Sequence, residues 1–245
     1  MNRKQKKIFI IVFMVSLLLF SLLALNIVNR FRPTGIVGPD IYLEKAEENT
    51  NRNNKTTFND DVIKLRDTYK DVKAWIKIPG TEIDYPVFQG KDNKEYINKD
   101  RDGHKYKWGE VFLDYRSDIS NLKEKEARNT IIYGHNTTRD SYFTELLKYK
   151  KPSFFEKNKY IYVSTKDKNY KFQVVSAYET SVNFYYIDTK FDDKDDYAQF
   201  LYKIEDKSMH SSPINIIGDE SLLTLSTCID GKPERRFVVH AILVK

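Results

Sequence analysis

The sequence predicts a mainly β protein, a mixed β-barrel with helical insertions, and three observations carry that reading. Short β-branched and aromatic runs recur at close intervals between turn formers such as Pro79-Gly80, Gly90-Lys-Asp-Asn93 and Lys166-Asp-Lys-Asn169. The two clear helical patterns stand outside these runs, one before the first strand and one inside a connection between strands. The chain also closes on two apolar runs around a turn containing Gly231 and Pro233, which reads as a final strand pair.

Residues 1–7 carry Arg3, Lys4, Lys6 and Lys7, and residues 8–28 then run without a charge. About 20 apolar residues cross a bilayer as a helix. The run exceeds the roughly 7–15 apolar residues of a cleaved signal peptide, and residues 26–30 offer no small-residue cleavage site. A transmembrane signal-anchor over 8–28 is therefore expected. The basic excess lies before the span, which puts residues 1–7 in the cytoplasm and the bulk of the chain outside the cell membrane. Residues 29–57, with Gly35, Gly38, Pro39 and an Asn-rich stretch over 49–54, read as an extracellular stalk with a short helix around 41–48.

The remaining residues, 58–245, form the expected outer domain. Asn59-Asp-Asp61 caps a helix with Val62, Leu65, Tyr69 and Val72 on one face. Strands follow over 75–78 and 83–88, a short helix over 95–99, and strands over 109–114 and 129–136. A short helix over 142–149 precedes a strand pair, 159–163 with 170–180. Asp192 or Asp193 opens the second clear helix, with Tyr197, Phe200, Leu201 and Ile204 as its apolar stripe. The last two strands cover 221–228 and 235–244.

The net charge of +6 does not indicate a nucleic-acid partner. Six of the 41 basic residues fall within residues 1–32, which hold no acidic residue, so 35 basic face 35 acidic residues in the rest. The high pI belongs to the membrane flank, not to a basic binding face.

Cys228 is the single cysteine. It cannot form an internal disulfide, which leaves a small buried hydrophobe or a nucleophile. Strand alternation places Leu223, Leu225 and Thr227 on one face and Thr224, Ser226 and Cys228 on the more polar one. A thiol at a strand end, beside a loop and two arginines, has surroundings that favour a thiolate. Arg235 shares its face with Phe237, Val239, Ala241 and Leu243, the core side, and is expected to turn out to solvent from the frayed end. Arg236 lies with Val238 and His240, so it can border one groove with Cys228. Among the histidines, His104 sits in a charged loop, His210 follows the second helix and His240 lies mid-strand as a packing residue. His135 stands at a strand end after Tyr133-Gly134.

Thr224-Leu-Ser-Thr-Cys228, an arginine opening the next strand, and an upstream Tyr133-Gly-His135 together resemble the sortases, membrane-anchored cysteine transpeptidases of Gram-positive cell surfaces. The helical lead-in to Trp75-Ile-Lys-Ile78, the stretches Ile83-Asp-Tyr-Pro-Val87, Gln89-Gly-Lys-Asp-Asn93 and Phe112-Leu-Asp114, and a helix over about 193–209 look like the class B branch. The resemblance covers about residues 58–244. It implies a closed sortase-type β-barrel of about eight strands, with N-terminal helices and a helix in the long connection before the Cys strand.

It also implies an activity. Cys228 would attack a backbone carbonyl of a C-terminal sorting signal, an Asn-Pro-x-Thr type peptide being typical of the class. His135 would serve as acid and base, and Arg236 would stabilise the oxyanion or hold the substrate backbone. The acceptor would be an amine of peptidoglycan or its lipid-linked precursor. Asn93, Tyr186, Ile187 and Ser226 match positions that line the substrate groove in class B enzymes, and Asp230 resembles an acidic residue near the Cys of some relatives. No cofactor is expected, and no metal, since no acidic cluster is evident. Two alternatives stay open, a pilus polymerase using a pilin lysine and a catalytically idle tethered binding module.

Overall fold

The computed structural model describes residue 5 and residues 60–120, 122, 128–137, 142–212, 218–229 and 232–244. The expected signal-anchor, the stalk with its helix over 41–48, and Asp230 lie outside the described residues. Among the described residues no helix is long and apolar enough to cross a membrane.

The elements follow in the order α1 (Asp60–Thr68), β1 (Val72–Lys77), β2 (Asp84–Phe88), β3 (Phe112–Leu113), β4 (Asn129–Tyr133), a 3-10 helix (Thr144–Lys150), α2 (Pro152–Lys157), β5 (Tyr160–Thr165), β6 (Asn169–Ser181), α3 (Lys194–Asp206), β7 (Leu222–Ile229) and β8 (Lys232–Leu243). The eight strands close into a barrel in the order β1-β2-β3-β4-β7-β8-β6-β5. The β2–β3 and β4–β7 pairs are parallel and the other neighbours antiparallel. Among the described residues, closure leaves no edge strand to pair with another chain.

Period-two alternation sorts the side chains into separate cores. Ala74, Ile76, Val87, Ile161, Val163, Leu223, Leu225, Phe237, Val239 and Ala241 point into the barrel. On the outside, α1 lays Val62 and Leu65 over Val72, Trp75, Phe88 and Phe112. The opposite outer face, with Val175, Tyr178, Leu222, Val238 and Ile242, is covered by Tyr197, Phe200, Leu201 and Ile204 of α3. Those four recur at i, i+3, i+4 and i+7, one stripe of a helix, and burying each aliphatic or Phe side chain is worth about 1.5–3 kcal/mol. The N-cap Asp193 accepts a hydrogen bond from the Asp196 amide at 2.8 Å.

Several sequence expectations need correction. Residues 95–98 form a turn and bend and Lys99 an isolated bridge with Lys105, not a helix, because the Tyr96 and Asn98 carbonyls accept from the Glu110 and Tyr106 amides and not from amides four residues on. Val72 opens β1 and does not extend α1. The strand expected over 109–114 pairs only through Phe112 and Leu113. Beyond these lies α2, which has no sequence signal apart from Pro152 at its first turn. Finally, β8 starts at Lys232, so Pro233 lies in the strand and not in the turn.

Candidate active site

Two pairings bring the chemistry to one end of the barrel. In β4–β7, Tyr133 is level with Ser226 and the Gly134 amide donates to the Ser226 carbonyl at 3.2 Å, so parallel register carries His135 toward Cys228. In β7–β8, Cys228 is directly opposite Arg236, and directly opposed antiparallel residues share a face. The register shifts between Cys228 and Ile229. A bulge of this kind re-aims the side chain beside it.

The result is a pocket of about 230 Å³ lined by Asn93, Ile97, Phe112, Tyr133, Gly134, His135, Ser226, Thr227, Cys228 and Arg236. Cys228 is a free, partly exposed thiol. His135 Nε2 lies 2.6 Å from the Ile97 carbonyl oxygen, and its ring meets Trp108 edge-on with centroids 6.0 Å apart. The His135 main chain is pinned as well, its carbonyl accepting from the Phe143 amide at 3.0 Å. Gly134 permits this: a Cβ there would lie 2.6 Å from the Phe143 ring. Arg236 Nη1 donates to the carbonyls of Pro233 at 2.6 Å and Arg235 at 2.9 Å, which holds the guanidinium over the first residues of β8. Arg235, expected in solvent, is ion-paired: its Nε and Nη2 lie 3.2 and 3.1 Å from Glu179 Oε1.

Of the four residues assigned to a substrate groove, Asn93 and Ser226 line the pocket, whereas Tyr186 and Ile187 stand behind it. The Tyr186 hydroxyl shares a 2.8 Å hydrogen bond with Ser226 Oγ, and Ile187 packs against the outer cluster to which α3 contributes. The segment is held through three successive carbonyls. Arg116 Nη2 donates to Ile187 O at 3.1 Å, and Asn129 Nδ2 to Asp188 O at 2.8 Å and Tyr186 O at 3.4 Å. Asn93 is itself a brace. Its Nδ2 donates to Asp114 Oδ2 at 2.9 Å and its Oδ1 accepts from the Tyr115 amide at 3.0 Å. Burial pushes the Asp114 carboxyl up, but bonds from Arg116, Asn93 and Tyr133 outweigh it and hold its pKa below the ordinary value. Asp114 enters the sequence reading only as the end of the Phe112-Leu-Asp114 stretch, and its pairing with Arg116 has no sequence signal, since a charged pair two residues apart in a loop carries no period. The wall residues Phe112 and Thr227 stand in sequence motifs without a site role of their own, and Ile97 has no signal at all.

Among the described residues, Asp100, Asp102 and His104 bring carboxylate and imidazole atoms within 4.8 Å of one another, a cluster the sequence did not reveal. Asp100 Oδ1 is used within the turn, accepting from the Asp102 and His104 amides at 3.0 and 2.8 Å. Asp102 Oδ1 takes the Tyr69 hydroxyl at 2.9 Å.

His240 is fully buried and structural. Thr224 Oγ1 donates to Asn129 Oδ1 at 2.6 Å, so it accepts from His240 Nδ1 at 2.9 Å, and Nε2 then accepts from the Tyr178 hydroxyl at 2.8 Å. Desolvation lowers the pKa of this neutral ring to about 3. An unfolded histidine binds a proton below about pH 6.5. Between there and about pH 3 the unfolded chain holds the extra proton, so stability falls as pH drops through that window. His240→Ala orphans the Tyr178 and Thr224 hydroxyls and is expected to cost about 2–4 kcal/mol and to flatten the acid slope of stability. Thermal melts of both proteins from pH 7 to 4 check this, and parallel slopes would remove His240 as the cause.

Residues 76–244 match the family model described as Sortase domain. The curated sortase B of Staphylococcus aureus is 40% identical over 178 residues, covering 72% of this chain and 71% of the relative. Among solved structures, a Staphylococcus aureus sortase B–substrate complex matches with a TM-score of 0.71 and 38% identity over 77% of this chain and 86% of that one. A sortase B complexed with triglycine matches with a TM-score of 0.69 and 38% identity over 75% and 85%.

Proposed function

The chain belongs to the sortase family, in its class B branch, as a cysteine transpeptidase, and from that premise we propose that it cuts a C-terminal sorting signal of secreted proteins and joins the new carboxyl end to an amine of peptidoglycan or its lipid-linked precursor. The observation that carries this reading is that Cys228, His135 and Arg236 line one pocket. The relatives complexed with a substrate and with triglycine support a peptide donor and an amine acceptor. Anchoring through residues 8–28, with residues 1–7 in the cytoplasm, residues 29–57 as stalk and residues 58–245 as the extracellular catalytic domain, rests on the charge and hydropathy pattern alone.

In the proposed cycle the Cys228 thiolate adds to the scissile carbonyl and Arg236 donates hydrogen bonds to the oxyanion. The C–N bond breaks as the His135 imidazolium gives its proton to the departing amine, leaving a thioacyl enzyme and a neutral imidazole. The incoming amine adds to the thioester, His135 takes its proton, and the C–S bond breaks to return the thiolate and release the new amide. Asn93 and Ser226 line the groove in which an extended peptide lies, and Tyr186 backs it through the Ser226 hydroxyl.

The test offers the full chain an Asn-Pro-x-Thr peptide with a diaminopimelate, glycine or lysine amine and identifies products by mass. Ligation to a peptidoglycan-type amine is expected. Ligation to lysine alone would favour the pilus-polymerising reading, and a Cys228 inert to thiol-reactive probes at every pH would favour an idle module. His135→Ala should remove most turnover while melting like the parent, since its ring is largely outside the core; unchanged turnover would remove it from the cycle.

A further inference from the structure

Resting on the reading of His135 as the acid–base group, we propose that the Ile97 main-chain carbonyl, set in place by Gly109, orients the imidazole by fixing its proton on Nε2 and presenting Nδ1 to the reacting atoms. A carbonyl can only accept, so the 2.6 Å contact from His135 Nε2 requires the N–H to be on that nitrogen. In hydrolytic triads a carboxylate selects the tautomer of the working histidine. Here a peptide oxygen takes that place.

Such an acceptor works only if it cannot drift, and the Ile97 side chain does not anchor it, being 43% exposed. The anchoring comes through the backbone. The Tyr96 carbonyl accepts from the Glu110 amide at 3.0 Å, and the buried Tyr96 ring packs on Phe88 while its hydroxyl donates to Asp71 at 2.6 Å. Directly against this peptide lies Gly109, at φ +52°. A Cβ on Gly109 would stand 2.0 Å from the Tyr96 oxygen and 2.8 Å from the carbon and oxygen of Ile97. Residue 109 must therefore be glycine twice over, for its left-handed backbone and for the approach of the 96–97 peptide. Its neighbour Trp108 supplies the edge-on contact to the same imidazole. One short segment thus supports the carbonyl and braces the ring, and Gly109 is a positioning residue that touches no substrate.

The experiment reads the tautomer directly. In the ¹⁵N-labelled full chain, with His135→Ala identifying the signals, the neutral His135 ring is expected to show the shift pattern of the Nε2–H form. A Nδ1–H pattern, or an even mixture, overturns the proposal. Gly109→Ala should lower kcat by roughly 10- to 100-fold, the scale of a misplaced catalytic group, leave KM within about 3-fold, and convert the ring pattern to a mixture. A folded Gly109→Ala protein with parental kcat and tautomer overturns it equally. If that variant does not fold, replacing Asn98 by its α-hydroxy acid turns the Ile97 carbonyl into a weaker ester acceptor without adding bulk. The same drop in kcat and the same mixing of tautomers are then expected, and an unchanged pattern rejects the proposal. Active His135→Ala would defeat the catalytic reading of His135, while the tautomer pattern would still decide what holds its ring.

Discussion

Cys228→Ala is expected to abolish both peptide cleavage and transfer to an amine, by at least about 10⁴-fold, while the protein folds as before. Both half-reactions run through the same sulfur, because the thioacyl bond made in the first is the bond broken in the second. No other cysteine exists to substitute for it. The fold should survive because the thiol lies on the polar side of β7 and is partly exposed, so its loss opens no cavity in the barrel. Turnover of a quenched sorting peptide, with and without added amine, measures the first claim and a thermal melt the second. Measurable acylation in a well-folded Cys228→Ala protein would end the nucleophile assignment.

The second large effect concerns the adjacent arginines. Arg236→Ala should slow transpeptidation by roughly 10²-fold or more, the scale of one lost oxyanion donor. Arg236 faces Cys228 across β7–β8 and lines the pocket, and its guanidinium is held over the start of β8 by the Pro233 and Arg235 carbonyls. Arg236→Lys should recover little, since an ammonium cannot both grip those carbonyls and present a planar fork to the substrate. Arg235→Ala should stay within a few-fold of the parent in rate, because Arg235 is tied to Glu179 on the other side of the strand. That ion pair is partly exposed and worth only about 0–1 kcal/mol. Steady-state kinetics of the three variants decide the matter, and an inactive Arg235→Ala enzyme beside an active Arg236→Ala one would reverse the assignment.

The division between these arginines was legible in the sequence because strand alternation is a local rule. Phe237, Val239 and Ala241 mark the barrel face, so Arg236, Val238 and His240 must take the other. The α3 stripe was legible for a similar reason, and its cap down to Asp192 or Asp193, of which the structure uses Asp193. What escaped the sequence depends on backbone groups or on short elements. The partner of His135 is a carbonyl, which any residue could supply, so Ile97 has no signature. β3 is too short for a period to show, and α2 has little more than one turn. Tyr186 and Ile187 were placed in the groove by resemblance, but their fixing by Asn129 and Arg116 depends on residues more than 50 positions away.

The parallel pairing of β4 with β7 also governs how the enzyme comes into being. Every pair in it, from Asn129 with Leu222 to Tyr133 with Ser226, joins residues 93 apart in sequence. Long-range parallel pairing is slow, since the loop must close before any contact rewards it. Until β7 and β8 arrive, β4 and β6 present open edges that invite pairing with other chains. Cys228 therefore reaches the side of His135 only in the step that seals the cylinder. A nascent or truncated chain lacking the final hairpin has neither a closed wall nor a reactive sulfur, so incomplete molecules are inert by construction and aggregation-prone.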